Sequence, residues 1–190
     1  MQKTQDETVM TDAFDLIEHF YPADTPFRQL LLKHSIQVRD KALEIASSSG
    51  IAFDRETVIN GALLHDIGIG LCHAPSILCE GSEPYIRHGI LGAEMLRRNF
   101  PQLEVYARIC ERHTGSGLTA DDIVKQHLPL PIRDFLPETP EEKLICLADK
   151  FFSKSGDMQE KSFASVRRSM EKFGAESLIR FEELCRFCQL

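Results

Sequence analysis

Apolar residues recur along this chain at three- and four-residue steps, the period of an amphipathic helix, over nearly its whole length. Strict alternation of the strand type is absent, and no Asn-Gly or Asp-Gly turn stands between alternating runs. The pattern predicts a short helix over residues 12–20, ended by Tyr21-Pro22. A second follows over 26–48, with Pro26 in its first turn and Ser47-Ser48-Ser49-Gly50 as its stop. A third runs over 54–67, with Asp54 as N-cap and Gly68 and Gly70 beyond its end. Residues 71–82 read as a loop, 84–99 as a helix closed by Pro101, and 103–113 as another. A Gly-rich break, Thr114-Gly115-Ser116-Gly117, precedes a short helix over 120–126. Residues 128–140 hold four prolines and read as an irregular loop of the kind that often serves function. Two helices close the chain, over 141–154 and from 157 to the end.

These elements predict an all-α fold, a compact helical bundle over residues 26–156. An N-terminal helix and lead-in precede it over 1–25, and an additional C-terminal helix over 157–190 packs on its core. Phe151, Phe152, Phe163, Phe173, Phe181 and Phe187 are expected to hold that last helix in place.

Composition narrows the function classes. The formal net charge of −7 argues against a nucleic-acid binder, since phosphate backbones call for excess Lys and Arg. It leaves room for a small phosphorylated substrate, because bound metal ions bring their own positive charge. No run of 18 apolar residues is present, so no membrane span is expected. The polar, acidic start Met1-Gln2-Lys3-Thr4-Gln5-Asp6-Glu7 lacks a secretion signal's hydrophobic region, and a cytoplasmic protein is the simplest reading. In that compartment the six cysteines read as free, buried thiols.

The candidate chemistry is concentrated in His and Asp. His65 and Asp66 stand side by side at the end of the apolar run Ala62-Leu63-Leu64. Burying such groups is costly unless they are paired or bound to metal. His34, His88, His113 and Asp149 lie on similar stretches, each on the apolar face of its predicted helix. Neighbours on a helix diverge by about 100°, so His65 and Asp66 can reach one centre only if the backbone loosens beside them. Four imidazoles and two carboxylates suit a pair of first-row ions bridged by one carboxylate, and a hydroxide between such ions is a nucleophile at neutral pH.

The order His, His-Asp, His, His, Asp resembles the HD-domain metal-dependent phosphohydrolases. The similarity rests on His34-Ser35-Ile36-Gln37-Val38, on Leu64-His65-Asp66-Ile67-Gly68 (the HDIG form), on His88-Gly89-Ile90-Leu91-Gly92-Ala93, on His113-Thr114-Gly115 and on Leu147-Ala148-Asp149-Lys150. It extends over residues 27–155. The resemblance implies a first metal on His34, His65, Asp66 and Asp149 and a second on His88 and His113, with Asp66 bridging and His65-Asp66 as the catalytic dyad. It implies two divalent or mixed-valence ions, iron first, with manganese, zinc and nickel as alternatives. Between His88 and Asp149 the chain is similar to di-iron hydrolases of diadenosine polyphosphates. Many HDIG members carry a Lys directly after the Gly, where this chain has Ile69.

Phosphate recognition therefore has to come from elsewhere, and the candidates are Arg112, Arg133, Lys150 and Lys154. The expected reaction is hydrolysis of a phosphate ester or anhydride of a nucleotide, dinucleotide or related small molecule by a metal-bound hydroxide. Two alternatives stand beside it, a di-iron oxygenase of the HD type and a non-catalytic nucleotide-binding module. His19, His73 and His127 fall outside the ligand order, and His73 is near enough to the dyad to reach a pocket mouth. Cys185 and Cys188 have the spacing of half a zinc site but lack a second pair. The acidic pairs Asp121-Asp122 and Glu141-Glu142 read as helix-start residues.

Overall fold

The computed structural model describes residues 12–190, so the N-terminal leader reading at Met1–Glu7 lies outside the described residues. The architecture is all-α. Its helices are α1 (Ala13–Phe20), α2 (Pro26–Ser49), α3 (Arg55–Leu64), α4 (His88–Asn99), α5 (Glu104–Arg112), α6 (Ala120–Lys125), α7 (Pro140–Asp149), α8 (Phe163–Glu171) and α9 (Ala175–Phe187).

Side-chain caps start most of them. Asp12, Thr25 and Asp54 each accept a backbone N–H of the first turn of α1, α2 and α3. The acidic pairs also act at helix starts. Asp122 closes a capping box with Thr119, and Glu142 closes one with Thr139. Glu141 instead accepts the N–H of Asp54 at 2.8 Å, tying the start of α3 to the start of α7.

Helix α3 is the central element, packed on α1, α2, α5 and α7. Its Val58, Ala62, Leu63 and Leu64 are buried against Leu31, Val38 and Ile45 of α2, Ile109 of α5, and Leu144 and Ile145 of α7. Helices α4 and α5 pair beside it.

The structure departs from the sequence pattern in three places. Helix α3 ends at Leu64 rather than Ile67, and α7 ends at Asp149 rather than at residue 154; both stop at the polar site residues. The loop over 71–82 contains a small hairpin, β1 (His73–Ala74) against β2 (Cys79–Glu80). The expected single C-terminal helix is two, α8 and α9, broken at Gly174, whose φ of +100° is a conformation that L side chains rarely adopt. Phe181 is fully buried and Phe151 nearly so, but Phe163 and Phe173 are 41% and 65% exposed and do not anchor the segment as expected.

Candidate metal centre

The chain loosens at the site as the adjacent His65 and Asp66 require. After Leu64 the ladder shortens to three-residue steps, with Ile67 N–H bonded to Leu64 O and Ile69 N–H to Asp66 O, both at 2.9 Å. Gly68 lets this turn lie directly on α4. A Cβ there would fall 2.4 Å from the carbonyl of His88 and 2.2 Å from the amide of Gly92. Gly92 faces the same turn, and a Cβ there would lie 3.1 Å from the amide of Gly68. Tyr21 holds it from the other side, donating its hydroxyl to Ile67 O at 2.5 Å.

Three histidines are oriented by the same local device. Nδ1 of His65 bonds Ala62 O at 2.6 Å, that of His88 bonds Tyr85 O at 2.7 Å, and that of His113 bonds Cys110 O at 2.7 Å. Each partner is the carbonyl three residues earlier, and a carbonyl only accepts. Nδ1 is therefore the protonated nitrogen, and in the neutral ring each Nε2 presents a lone pair to the interior.

Those lone pairs converge on one carboxylate. Oδ2 of Asp66 is 3.3 Å from His34 Nε2 and 3.2 Å from His65 Nε2. Oδ1 is 3.4 Å from His113 Nε2 and 3.6 Å from His88 Nε2. Asp149 joins the first pair, its Oδ1 lying 3.0 Å from His34 Nε2 and 3.6 Å from His65 Nε2. Two ligand groups result, His34-His65-Asp66 and Asp66-His88-His113, each close enough to surround one ion and both using Asp66. All six side chains are buried.

The protein alone does not satisfy this cluster. His65 Nε2 and Asp66 Oδ1 are buried without a hydrogen-bond partner of good geometry, and Asp66 Oδ2 has only the Lys154 ammonium, at 2.8 Å. The Nε2 atoms of His88 and His113 face each other at 2.9 Å. Buried polar atoms are nearly always partnered, and a cation among these lone pairs would satisfy them together. The donor set fits divalent first-row metals.

The electrostatics favour the ligating form at Asp66, Asp149 and His88, and in the absence of an ion the protonated form at His65. Burial raises the pKa of Asp66, but Lys154 and His65 outweigh it and hold the carboxyl well below the usual range. Asp149 is likewise held low against its burial, chiefly by Lys150 and Lys154. Burial and the neighbouring His113 push His88 down to about 3, which keeps it neutral. His65 is raised to about 9, the charges of Asp66 and Asp149 overcoming its burial.

The cluster opens on a cavity of about 840 Å³, with His88, His113 and Asp149 in its wall. Two of the expected phosphate contacts line it. Lys154 Nζ is 2.8 Å from Asp66 Oδ2, and Lys150 Nζ is 2.8 Å from Asp149 Oδ2 and donates to His113 O at 3.0 Å. The other two do not line it. Arg112 donates to Leu136 O at 2.6 Å and pairs with Glu138 at 2.8 Å. Arg133 grips the buried Glu111 at 2.9 Å and lies over the ring of Phe135.

The structure adds Lys161 and Arg180 to the cavity wall, and Tyr85, whose ring stacks on His88 at 4.9 Å. Tyr85 lies three residues before His88, a spacing that would have marked it as a neighbour. His73 is exposed and lies outside the lining, as do the exposed His19 and His127. Cys185 and Cys188 are buried free thiols, raised by burial to about 11 and about 12.

Residues 31–153, most of the chain, match the HD domain family. The chain belongs to that family. The chain is 38% identical over 149 residues to a tRNA (cytidine(56)-2'-O)-methyltransferase of Picrophilus torridus, covering 78% of this chain and 37% of that protein. It is 38% identical over 123 residues to an uncharacterised protein of Methanocaldococcus jannaschii, covering 63% of this chain and 64% of the relative. A third match, 37% identical over 89 residues, is to a ribonuclease Y of Thermosipho melanesiensis, covering 47% of this chain and 15% of that protein. The chain thus spans less than two thirds of each of these relatives. No solved structure matches it. Among the described residues no helix is long and apolar enough to cross a membrane.

Proposed function

We propose that this HD domain is a metal-dependent phosphohydrolase acting on a small phosphorylated molecule, a nucleotide, dinucleotide or close relative. The single observation that carries the reading is Asp66. One buried carboxylate turns each oxygen to a different histidine pair, beside a cavity walled by Lys150, Lys154 and Lys161. In this reading His34, His65, Asp66 and Asp149 hold one ion, and Asp66, His88 and His113 hold a second, with iron ahead of manganese, zinc and nickel. Such ions, when bound, supply a nucleophile at neutral pH and offset charge on phosphoryl oxygens.

The chain's own residues supply positioning and charge. The carbonyl bonds to His65, His88 and His113 fix Nδ1 as the protonated nitrogen of each neutral ring and leave Nε2 to face an ion; His65, raised to about 9, gives up its Nε2 proton when a cation binds. Lys154 stands closest to the shared carboxylate and is the cation placed to meet a phosphoryl oxygen. Lys150 spans Asp149 and the His113 carbonyl, which holds the two ligand-bearing segments at a fixed distance.

The relatives support phosphate chemistry only in part. The printed name ribonuclease Y denotes phosphodiester cleavage, which agrees with this reading. The methyltransferase activity belongs to a protein of which this chain spans 37%. The net charge of −7 and the walled cavity favour a small molecule over a nucleic-acid strand.

The test is anaerobic purification, metal analysis, and a phosphate-release screen over nucleotides and dinucleotides with iron, manganese, zinc and nickel in turn. Turnover that depends on a bound metal and is lost in His65→Ala is expected. No release with any metal, or full metal content and activity in His65→Ala, overturns the reading.

A further inference from the structure

We propose that helices α8 and α9 build a second subsite in the same cavity, which receives a flat apolar ring carried by the phosphorylated substrate, with Phe173 as its platform. The inference rests on the phosphohydrolase reading and adds the class of organic group the substrate bears.

Size makes the first case. A cavity of about 840 Å³ falls in the range of pockets that enclose whole organic ligands, roughly 300–1,000 Å³, and far exceeds what a phosphoryl group needs. That leaves room for an organic group beside the phosphate.

Part of the cavity wall comes from outside the family match. That match ends at residue 153, whereas Met170, Phe173 and Ser177 belong to the segment beyond it. This wall is anchored. Ser116 donates its hydroxyl to Ser177 O at 2.8 Å, and Arg180 pairs with Asp122 at 2.7 Å, tying α9 to the loop after His113 and to α6. A wall held at both points presents a fixed surface to a ligand.

Phe173 is the anomaly in that wall. Phe181 is fully buried, Phe163 lies 5.9 Å from it ring to ring, and Phe187 carries Lys143 over its face. Phe173 is 65% exposed, lines the cavity, and has no aromatic neighbour among the described residues. It sits on the turn that separates α8 from α9. Its N–H bonds Met170 O at 3.0 Å and the next residue, Gly174, has φ +100°. A continuous helix would have set Phe173 by its own period; the break sets it at the cavity instead. Met170 lies on the same wall, and Ile77 and Leu118 add apolar surface elsewhere in the lining. The lysines supply the charged region of the same space. A ligand that satisfies both is anionic at one end and flat and apolar at the other.

The probes are methylphosphonate, phenylphosphonate and biphenyl-4-ylphosphonate, which share an anionic head, resist hydrolysis and differ in ring and reach. Binding to the manganese-loaded protein is measured by calorimetry. The better aryl ligand is expected to bind at least about tenfold more tightly than methylphosphonate. Phe173→Ala is expected to remove at least about fivefold of aryl affinity and to leave methylphosphonate within about twofold. Phe173→Trp restores aryl binding, and since the chain contains no tryptophan its emission reports the ring directly, shifting with aryl ligands and not with methylphosphonate. Unchanged melting of both variants shows that the exposed position leaves the fold intact. Equal binding of all three ligands, or equal losses for all three in Phe173→Ala, overturns the subsite alone. No phosphonate binding at all overturns the phosphohydrolase reading and the subsite with it.

Discussion

Metal ions are expected to stabilise the chelator-treated protein in two separable steps, because two ligand triads share one carboxylate. An ion that binds only the native state stabilises it by about 2.7 kcal/mol at a hundredfold excess over its Kd. For a chain of this size each kcal/mol moves the melting temperature by about 2–4 °C, so one ion gives about 5–11 °C and two give about twice that. His113 belongs to one triad and His34 to the other. The gain on loading, measured as loaded minus chelated for each variant, is therefore expected to halve in His113→Ala and in His34→Ala. It is expected to vanish in Asp66→Asn, which weakens both groups. Differential scanning calorimetry with manganese, paired with metal analysis of the desalted protein, reads both quantities. Coincident melts with and without metal would refute the reasoning. So would complete loss of the gain in each single-histidine variant, since that marks one indivisible centre rather than two.

Three further outcomes follow from particular contacts. Lys154→Met removes a cation 2.8 Å from Asp66, so ion affinity is expected to rise while phosphate turnover falls about tenfold or more; a parallel loss of both would show Lys154 to be structural. Burial raises the pKa of Glu111, but Arg97 and Arg133 prevail and hold it below the usual range. That pair's stabilisation is present above the unfolded value of about 4.3 and is lost as pH falls through the folded value. Glu111→Gln is accordingly expected to cost about 1–2 kcal/mol at neutral pH, with the gap to wild type in urea melts closing below about pH 4. Gly68→Ala drives a Cβ into the backbone of α4 and is expected to cost about 3 kcal/mol or more and to lower metal content, as read by thermal melts and metal analysis.

The parts of the site that were legible in the sequence are those fixed locally. Each of His65, His88 and His113 is oriented by a carbonyl three residues back, so the helix pattern that places the residue also aims its ring. The need for a loosened backbone after Leu64 followed from helix geometry alone, and the three-residue turns there meet it. The all-α class followed from the apolar period. The hairpin over 73–80 escaped because two-residue strands are too short to show alternation.

Cations divided differently, and the reason is competition for partners. Arg112 and Arg133 looked suited to phosphate because the guanidinium fork is, yet that same fork is taken by Glu138, Leu136 O and Glu111. Which carboxylate an arginine meets is decided by tertiary packing of α5 against the Pro-rich loop, and no local pattern encodes it. Lys161 reaches the cavity from the irregular stretch before α8, held by Lys150 O and Phe152 O, and Arg180 reaches it from α9. Arg180 lies in the segment from residue 157 onward, whose apolar period reads as one continuous helix, and a rod of that kind would not fold back over the site. The left-handed Gly174 breaks it and brings α8 and α9 round as a wall. The His and Asp cluster beside the cavity is thus written in the order of those residues, and the wall that α8 and α9 add depends on the break at Gly174. A chain can change what it accepts by altering that wall while leaving the ion ligands untouched, which is why metal-ligand motifs alone name a reaction class and not a substrate.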